Sequence, residues 1–263
     1  ALVALQNLNA TNRELETTQS RINTGKKINN AKDNGAIWAI AQGQRGEIQA
    51  LGAVKDSLAR GSSAIDVSLA AGESVSDLLL QLKEKALAAK DTSLSTSSRT
   101  ALSDDFNSIK AQITTAVSNA KFNGVNLLDG SATNGFKALA NAGGTSTIDV
   151  ASQTMTLASL SISASVLTDA TTAGTALTAV DAAIASVSSK LAKLGTGAKS
   201  FDTHATFVSK LSDALETGVG NLVDADLAKE SARLQSLQTK QQLGVQALSI
   251  ANQSSSVLLS LFR

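Results

Sequence analysis

The sequence predicts a mainly α fold. Long antiparallel helices form a bundle, the N- and C-terminal arms make a coiled coil, and a small β-hairpin-containing insert interrupts the chain near its middle. Three observations carry this reading. Heptad repeats of apolar residues occupy both ends. A stripe with alternating steps of three and four runs without a break over residues 51–89. No proline occurs in 263 residues, although about 5% is ordinary usage and an interior Pro costs a helix roughly 3 kcal/mol.

The elements follow in order. Leu8, Leu15 and Ile22 fall seven apart, with Leu5, Asn12 and Gln19 on the companion positions. Residues 23–46 are polar and punctuated by Gly25, Gly35, Gly43 and Gly46 around Ile37, Trp38 and Ile40, which reads as a connector with short helical turns. Leu51, Val54, Leu58, Gly61, Ile65, Ser68, Gly72, Val75, Leu79, Leu82, Ala86 and Ala89 then hold one helical register. That stretch makes a rod of about 60 Å at 1.5 Å per residue. Polar residues 91–98 end it, and Leu102, Phe106, Ile109, Ile113, Ala116 and Ala120 carry a third stripe, antiparallel to the rod because the loop is short.

Asn123-Gly124, Asp129-Gly130 and Asn134-Gly135 mark turns. They introduce an insert over 128–172 in which 147–150 and 155–162 alternate as short strands do, placed on the outside of a helical body. The helical code returns at Leu177, Val180, Ile184, Val187, Leu191 and Leu194, continues through Leu215 and pauses at Gly218 and Gly220. Asp224 is placed to cap the last helix. There Leu227, Leu234, Gln241 and Leu248 repeat at seven, beside Leu237, Gly244, Ala251 and Leu258, with Leu259 in the closing apolar run. The expected organisation is a terminal coiled-coil domain (1–30 with 224–263), a long helical rod domain (31–127 with 173–223) and the outward-facing insert (128–172).

Composition narrows the function. Hydrophobic residues make up 43% but aromatics only 3%, so much of the apolar content is Ala, which suits long helical contacts. A net charge of +1 leaves no electrostatic footprint for nucleic acid. The apolar runs are far short of the ~20 residues a spanning helix needs, which argues against membrane insertion. Arg13, Glu14 and Glu16 stand where a signal peptide would be greasy, so export would take another route. There is no cysteine and one histidine, His204, to which we assign a structural role. No metal, cofactor or catalytic constellation can be assembled, and the chain reads as a non-enzyme. The stretch 195–200 fails phosphate-loop spacing. The paired carboxylates Asp104 with Asp105, and Asp224 with Asp226, read as helix-start charges that offset the dipole. Lys83, Glu84 and Lys85 read as solvated surface.

Amphipathic ends are unusual, because termini are ordinarily frayed and tolerant. Each stripe needs a facing helix, and exposed stripes are a liability in a free monomer, so the chain is expected to associate. The interface residues expected are Leu5, Leu8, Leu15, Ile22, Leu227, Leu234, Leu237, Leu248, Leu258 and Leu259. At roughly 2 kcal/mol per buried Leu, ten such contacts outweigh the cost of ordering arms that are mobile before assembly.

Three segments resemble bacterial flagellin. They are residues 21–36, running from Arg21-Ile22-Asn23-Thr24-Gly25 to Ala31-Lys32-Asp33; residues 122–128, Phe-Asn-Gly-Val-Asn-Leu-Leu; and residues 224–263, from Asp224-Ala225-Asp226-Leu227 through Gln241-Gln242-Leu243-Gly244 to Leu261-Phe262-Arg263. The spelling around residues 22–27 and 36–38 is similar to an alphaproteobacterial, Caulobacter-like version. The resemblance implies a structural subunit that polymerises into the filament for swimming motility. It places the arms in an inner tube and the central helices in a surrounding layer, joined by a connector carrying Arg21, Gly25, Ile28, Asn29, Ala31, Asp33 and Asn34. It implies no large outer domains, since only about 45 residues stand where relatives carry them, and a dozen or so residues before Ala1.

The implied partners are other copies of the chain and sister flagellins, with the flagellar export apparatus, an export chaperone, and cap and hook-junction proteins. The implied location is extracellular, reached by type III export, for which a chain without Cys or Pro avoids disulfide traps and slow isomerisation. Ser and Thr residues between Thr145 and Thr172 become possible O-glycosylation positions. Gln81, Lys85 and Gln112 replace the Arg, Leu and Glu of the animal receptor epitope, which implies weak recognition. The alternatives are a hook-filament junction-type protein sharing the arms, or a secreted coiled-coil effector or scaffold. The last accounts for the heptads but not for the three segments.

Overall fold

The computed structural model describes the backbone of residues 2–261 and the side chains of residues 2–253. Leu258 and Leu259 lie outside the described side chains. The chain runs α1 (Leu2–Thr24), α2 (Gly35–Ala89), α3 (Thr96–Asn119), β1 (Lys121–Phe122), β2 (Val125–Asn126), β3 (Phe136–Leu139), β4 (Thr147–Val150), α4 (Ala170–Val223) and α5 (Leu227–Leu261). Its contacts separate two compact units, residues 1–48 with 212–263 and residues 49–211.

In the unit of residues 49–211 all twelve positions of the long α2 stripe are buried, Gly61 and Gly72 included. The two glycines admit close neighbours. A Cβ at Gly61 would fall 2.3 Å from Phe201 Cε2 and 2.8 Å from Phe136 Cε1, and one at Gly72 would fall 2.6 Å from Leu191 Cδ2. Phe136 and Phe201 meet edge to face at 6.1 Å, and α3 contributes Phe106, Ile109, Ile113 and Val117 to the core. Ser95 starts α3 by accepting a bond from the Ser98 N–H at 3.2 Å, and Arg99 donates to the carbonyls of Ala89 and Asp91 at the end of α2. Asp169 starts α4, accepting from the Thr172 N–H at 2.8 Å.

α4 is, among the described residues, the one helix long and apolar enough by length and composition to cross a membrane. Its many alanines make it so where uninterrupted apolar runs did not reveal it. Val180, Val187, Leu194 and Phe201 are nonetheless buried within this unit.

The turn at Asn123 (φ 48°) and Gly124 (φ 80°) closes the β1–β2 hairpin. Asn126, fully buried, then bridges two elements. Its Nδ2 donates to Val117 O at 2.7 Å, and its Oδ1 accepts from the N–H groups of Leu128 and Asp129 at 2.8 and 3.1 Å. β3 and β4 pair antiparallel, Phe136 opposite Val150 and Leu139 opposite Thr147. Gly135 (φ 65°) is required at the approach, because a Cβ there would lie 2.1 Å from Val150 O.

The strand expected over residues 155–162 does not form. The N–H groups of Gln153 and Met155 go to the carbonyls of Leu127 and Leu128, both at 2.8 Å, and those of Leu160 and Ile162 close local turns. Nor does the insert lie wholly outside, since Met155, Leu160, Ile162 and Leu167 are buried. Lys110 Nζ holds it through the carbonyls of Ser163 (3.2 Å) and Ser165 (2.9 Å), with partial burial pulling the ammonium pKa below its ordinary value.

Other expectations are corrected here. Asp104 and Asp105 sit inside α3 rather than at its start, and Asp105 pairs with Lys85 at 3.1 Å. Lys83 pairs with Asp181 at 2.8 Å. His204 donates to Ala140 O at 2.7 Å from Nε2, in keeping with a structural role.

In the unit of residues 1–48 with 212–263 the connector is shorter than expected. Asn34 caps α2, its Oδ1 accepting from the Ile37 N–H at 3.1 Å, so the helix begins at Gly35 and runs through Gly43 and Gly46. Packing offsets the roughly 1 kcal/mol that each interior Gly costs, because Ile37, Trp38, Ala41 and Ile48 gather around Ile28, Val219 and Val223. The same cluster carries α4 past Gly218 and Gly220 to Val223. The cap of α5 is Asp226, whose Oδ1 accepts from the Lys229 N–H at 3.1 Å. Asp224 bridges to Lys26 instead.

Candidate assembly interface

α1 and α5 pack side by side and antiparallel. Their register is fixed by specific pairs. Gln241 Nε2 donates to Asn12 Oδ1 at 2.8 Å, Arg233 Nη2 lies 3.5 Å from Glu14 Oε2, and Arg21 Nη1 lies 3.1 Å from Glu230 Oε1. Gly244 brings the helices close, since a Cβ added there would meet Leu8 Cδ1 at 3.2 Å.

The seam on α5 holds the expected rows, Leu234, Gln241 and Leu248 with Leu237, Gly244 and Ala251, and Glu230 extends them one heptad back. On α1 the row Leu8, Leu15 and Ile22 faces inward, but its companion is Ala4, Thr11 and Thr18, continued by Gly25 just past the helix, not Leu5, Asn12 and Gln19. Small residues win those positions because they let the backbones approach. Asn12, on the margin, still reaches Gln241. Thr18 and Glu230, both buried, went unrecognised, although each continues a heptad row and that spacing was the available signal. Glu230 Oε2 is buried without a hydrogen-bond partner.

The arms present apolar side chains outward as well. Leu5 and Leu227 are 43% and 49% exposed, Val3 70%, Leu243 58%, Val245 54% and Ile250 67%. An isolated helix pair hides one stripe per helix; these two carry apolar residues on both sides.

The connector is a small hydrogen-bonded knot. Gly25 takes φ 69° and its carbonyl accepts from the Ala225 N–H at 2.9 Å, while the N–H groups of Lys27 and Ile28 share Val223 O at 2.8 and 3.2 Å. Asp33 Oδ2 accepts from the N–H groups of Asn29 (2.8 Å) and Asn30 (3.1 Å), and these two bonds hold its carboxyl below the usual range, with Arg21 a weaker contributor. Ile28 is buried and Ala31 is exposed. The arrangement offers packing surfaces, and no cluster of His, Cys, Asp or Glu that could hold a metal ion is found among the described residues.

Comparison with known proteins identifies the pattern. A family model of the bacterial flagellin N-terminal helical region matches residues 1–133, and one of the C-terminal helical region matches residues 177–262. The chain is 61% identical over 264 residues to flagellin FljM of Caulobacter vibrioides, covering all of this chain and 96% of the relative. It is 60% identical to flagellin FljK of the same organism with the same coverage, and 40% identical over 274 residues to a Brucella melitensis flagellin, again covering all of this chain and 96% of the relative. Among solved structures, Bacillus cereus flagellin aligns with TM-score 0.53 at 22% identity over 58% of this chain and 88% of that one. A putative flagellar hook-associated protein from Vibrio parahaemolyticus aligns with TM-score 0.60 at 15% identity over 73% and 100%. These two likenesses concern the fold.

Proposed function

The chain belongs to the bacterial flagellin family, and from that membership we propose how its parts serve a filament. It is a structural subunit that polymerises with copies of itself and with sister flagellins into the bacterial flagellar filament, and its role is mechanical rather than catalytic. In our reading residues 1–30 with 224–263 form the inner tube, 31–127 with 173–223 the surrounding helical layer, and 128–172 a short outward-facing insert. The connector between the layers uses Arg21, Gly25, Ile28, Asn29, Ala31, Asp33 and Asn34.

One observation carries the reading: α1 and α5 spend one stripe on each other and keep Val3, Leu243, Val245 and Ile250 more than half exposed. A monomer leaves such faces wet, whereas stacked copies dry them. We assign the contacts between copies to the faces bearing Leu5 and Leu227, and the pairing within a copy to Leu8, Leu15, Ile22, Leu234, Leu237 and Leu248. Export through the flagellar apparatus with a chaperone, capping and hook-junction contacts, an extracellular location, and glycosylation of exposed residues such as Thr145 and Ser163 complete the proposal. A hook-filament junction role is the less favoured alternative, because full-length identity of 61% is to a flagellin.

The test is polymerisation of purified chain with and without residues 221–263, viewed by electron microscopy. Filaments from the intact chain alone are expected. Filaments from the truncated chain would overturn the role given to α5.

A further inference from the structure

We propose that a strip of opposite charge on the arm pair joins neighbouring copies head to tail, an arginine cleft on one copy receiving carboxylates of the next. The inference rests on the filament-subunit reading and names the polar contact that would orient it.

The receiving end is a cleft of about 190 Å³ where Arg13, Arg21 and Arg233 converge against a single lining carboxylate, Glu14. Arg21 is engaged by Glu230 at 3.1 Å, and Arg233 meets Glu14 only at 3.5 Å. Arg13 has no ion-pair partner among the described residues. Thr17 and Thr18 line the same cleft. A guanidinium with no carboxylate of its own copy in reach is a fork of charged donors open to an acceptor from another copy. Guanidinium forks favour carboxylate oxygens.

The donating end is a groove of about 650 Å³ lined by Asp213, Glu216, Asp224 and Asp226, with no basic residue in its lining. None of the four takes part in an ion pair among the described residues. Asp226 is partly engaged in capping α5, which leaves Asp213 and Glu216 the freest. A hollow of about 500 Å³ joins the two ends, sharing Arg21 and Arg233 with the cleft and Asp224 and Asp226 with the groove. Charge therefore changes sign along one continuous strip.

A second copy turned to face the strip and related to the first by a screw operation sets its carboxylates in the first copy's cleft and leaves its own cleft open to a third. Such a heterologous contact does not close, and a filament requires that property. Two strips meeting about a twofold axis would instead terminate at a dimer.

The test uses full-length chains and the critical concentration for polymerisation, read by sedimentation. R13E, which breaks no ion pair within a copy, and D213K/E216K should each raise that concentration roughly tenfold at low salt. R13E/D213K/E216K should polymerise near the wild-type concentration, and so should an equimolar mixture of the two defective chains. Circular dichroism melts identify any variant that fails to fold, in which case R13Q and D213N/E216Q take its place with smaller shifts of the same sign. Unchanged critical concentrations, triple variants no better than the defective parents, or discrete dimers in place of filaments would each overturn the proposal. Wild-type chains that never polymerise would instead defeat the filament reading on which it rests.

Discussion

A cysteine pair at Leu8 and Gly244 tests whether the two arms of one chain pair in the register described. A Cβ at position 244 would stand 3.9 Å from Leu8 Cβ, within the roughly 3.5–4.5 Å that a disulfide spans. The sequence contains no cysteine, so L8C/G244C can form only the engineered bond. Closing so long a loop constrains the unfolded chain by about 5 kcal/mol in the chain-entropy account. Loss of the Leu8 side chain, half-buried in the seam, returns about 1–2 kcal/mol of that. The oxidised arms should therefore melt at higher urea than the reduced ones by about 5 kcal/mol, since both forms lack Leu8, and exceed the wild type by a net of roughly 3 kcal/mol. The assay is oxidation of dilute monomer, a non-reducing gel on which the looped chain migrates apart from the linear one, and urea titration of both forms. L5C/G244C is the control, since Leu5 lies on the outward row at 43% exposure. Equal cross-linking of control and test pairs, or predominantly intermolecular bonds, would refute the register.

Three further predictions follow from the same geometry. G61A places a methyl 2.3 Å from the Phe201 ring, an overpacking cost of about 1–3 kcal/mol that exceeds the ~1 kcal/mol Ala gains over Gly in a helix; the thermal midpoint should fall, and an unchanged one would deny the contact. R21A removes the ion-pair partner of buried Glu230 and should loosen α1 by about 1–3 kcal/mol, measured as amide exchange in residues 14–24, with R21A/E230L recovering part of the loss because no charge is then stranded. The Asp33 carboxyl is held below its ordinary value by two backbone donors, so the stability it adds is complete above pH 4 or so and disappears as pH falls through the folded pKa; protection of the Asn29 and Asn30 amides should decline with acid in the wild type and be low and flat across that range in D33N.

Helix existence was legible because period and burial coincide: the α2 stripe named from spacing is buried at every position. Element ends were less legible, and the reason is physical. Gly43 and Gly46 resemble loop residues in isolation, but Asn34 supplies the cap and Trp38 and Ala41 supply the packing, and only the folded chain brings Val219 and Val223 to meet them. The companion row on α1 was misassigned because Leu5 outranks Ala4 on hydrophobicity, whereas close approach of two helices favours the smaller residue. The segment 155–162 alternates, yet the N–H of Met155 at its start and that of Gln153 just before it go to the carbonyls of Leu128 and Leu127, distant in sequence, and no local pattern announces that pairing.

The misassigned row also explains how the arms divide their apolar surface. With Ala4, Thr11, Thr18 and Gly25 along one side and Gly244 and Ala251 on the other, the seam is poor in large side chains, and of its leucines only Leu237 is buried. Val3, Leu5, Leu243, Val245 and Ile250 meanwhile remain exposed. At about 1.5–3 kcal/mol for each such side chain fully buried, those five offer on the order of 7–15 kcal/mol to neighbouring copies before association costs. A seam built instead from Leu5, Asn12 and Gln19 would have placed Leu5 inside and widened the helix spacing, trading contact between copies for contact within one. Small residues inside and large ones outside give a pair that is weak as a monomer and adhesive as a surface, the balance a polymerising subunit requires. The substitution A4L tests this division: it should strain the narrow seam and lower the melting point of the monomer, while leaving the outward faces intact and the filaments able to form at higher protein concentration. Filaments forming at the wild-type concentration from a chain no less stable would show that the seam's narrowness has no such role.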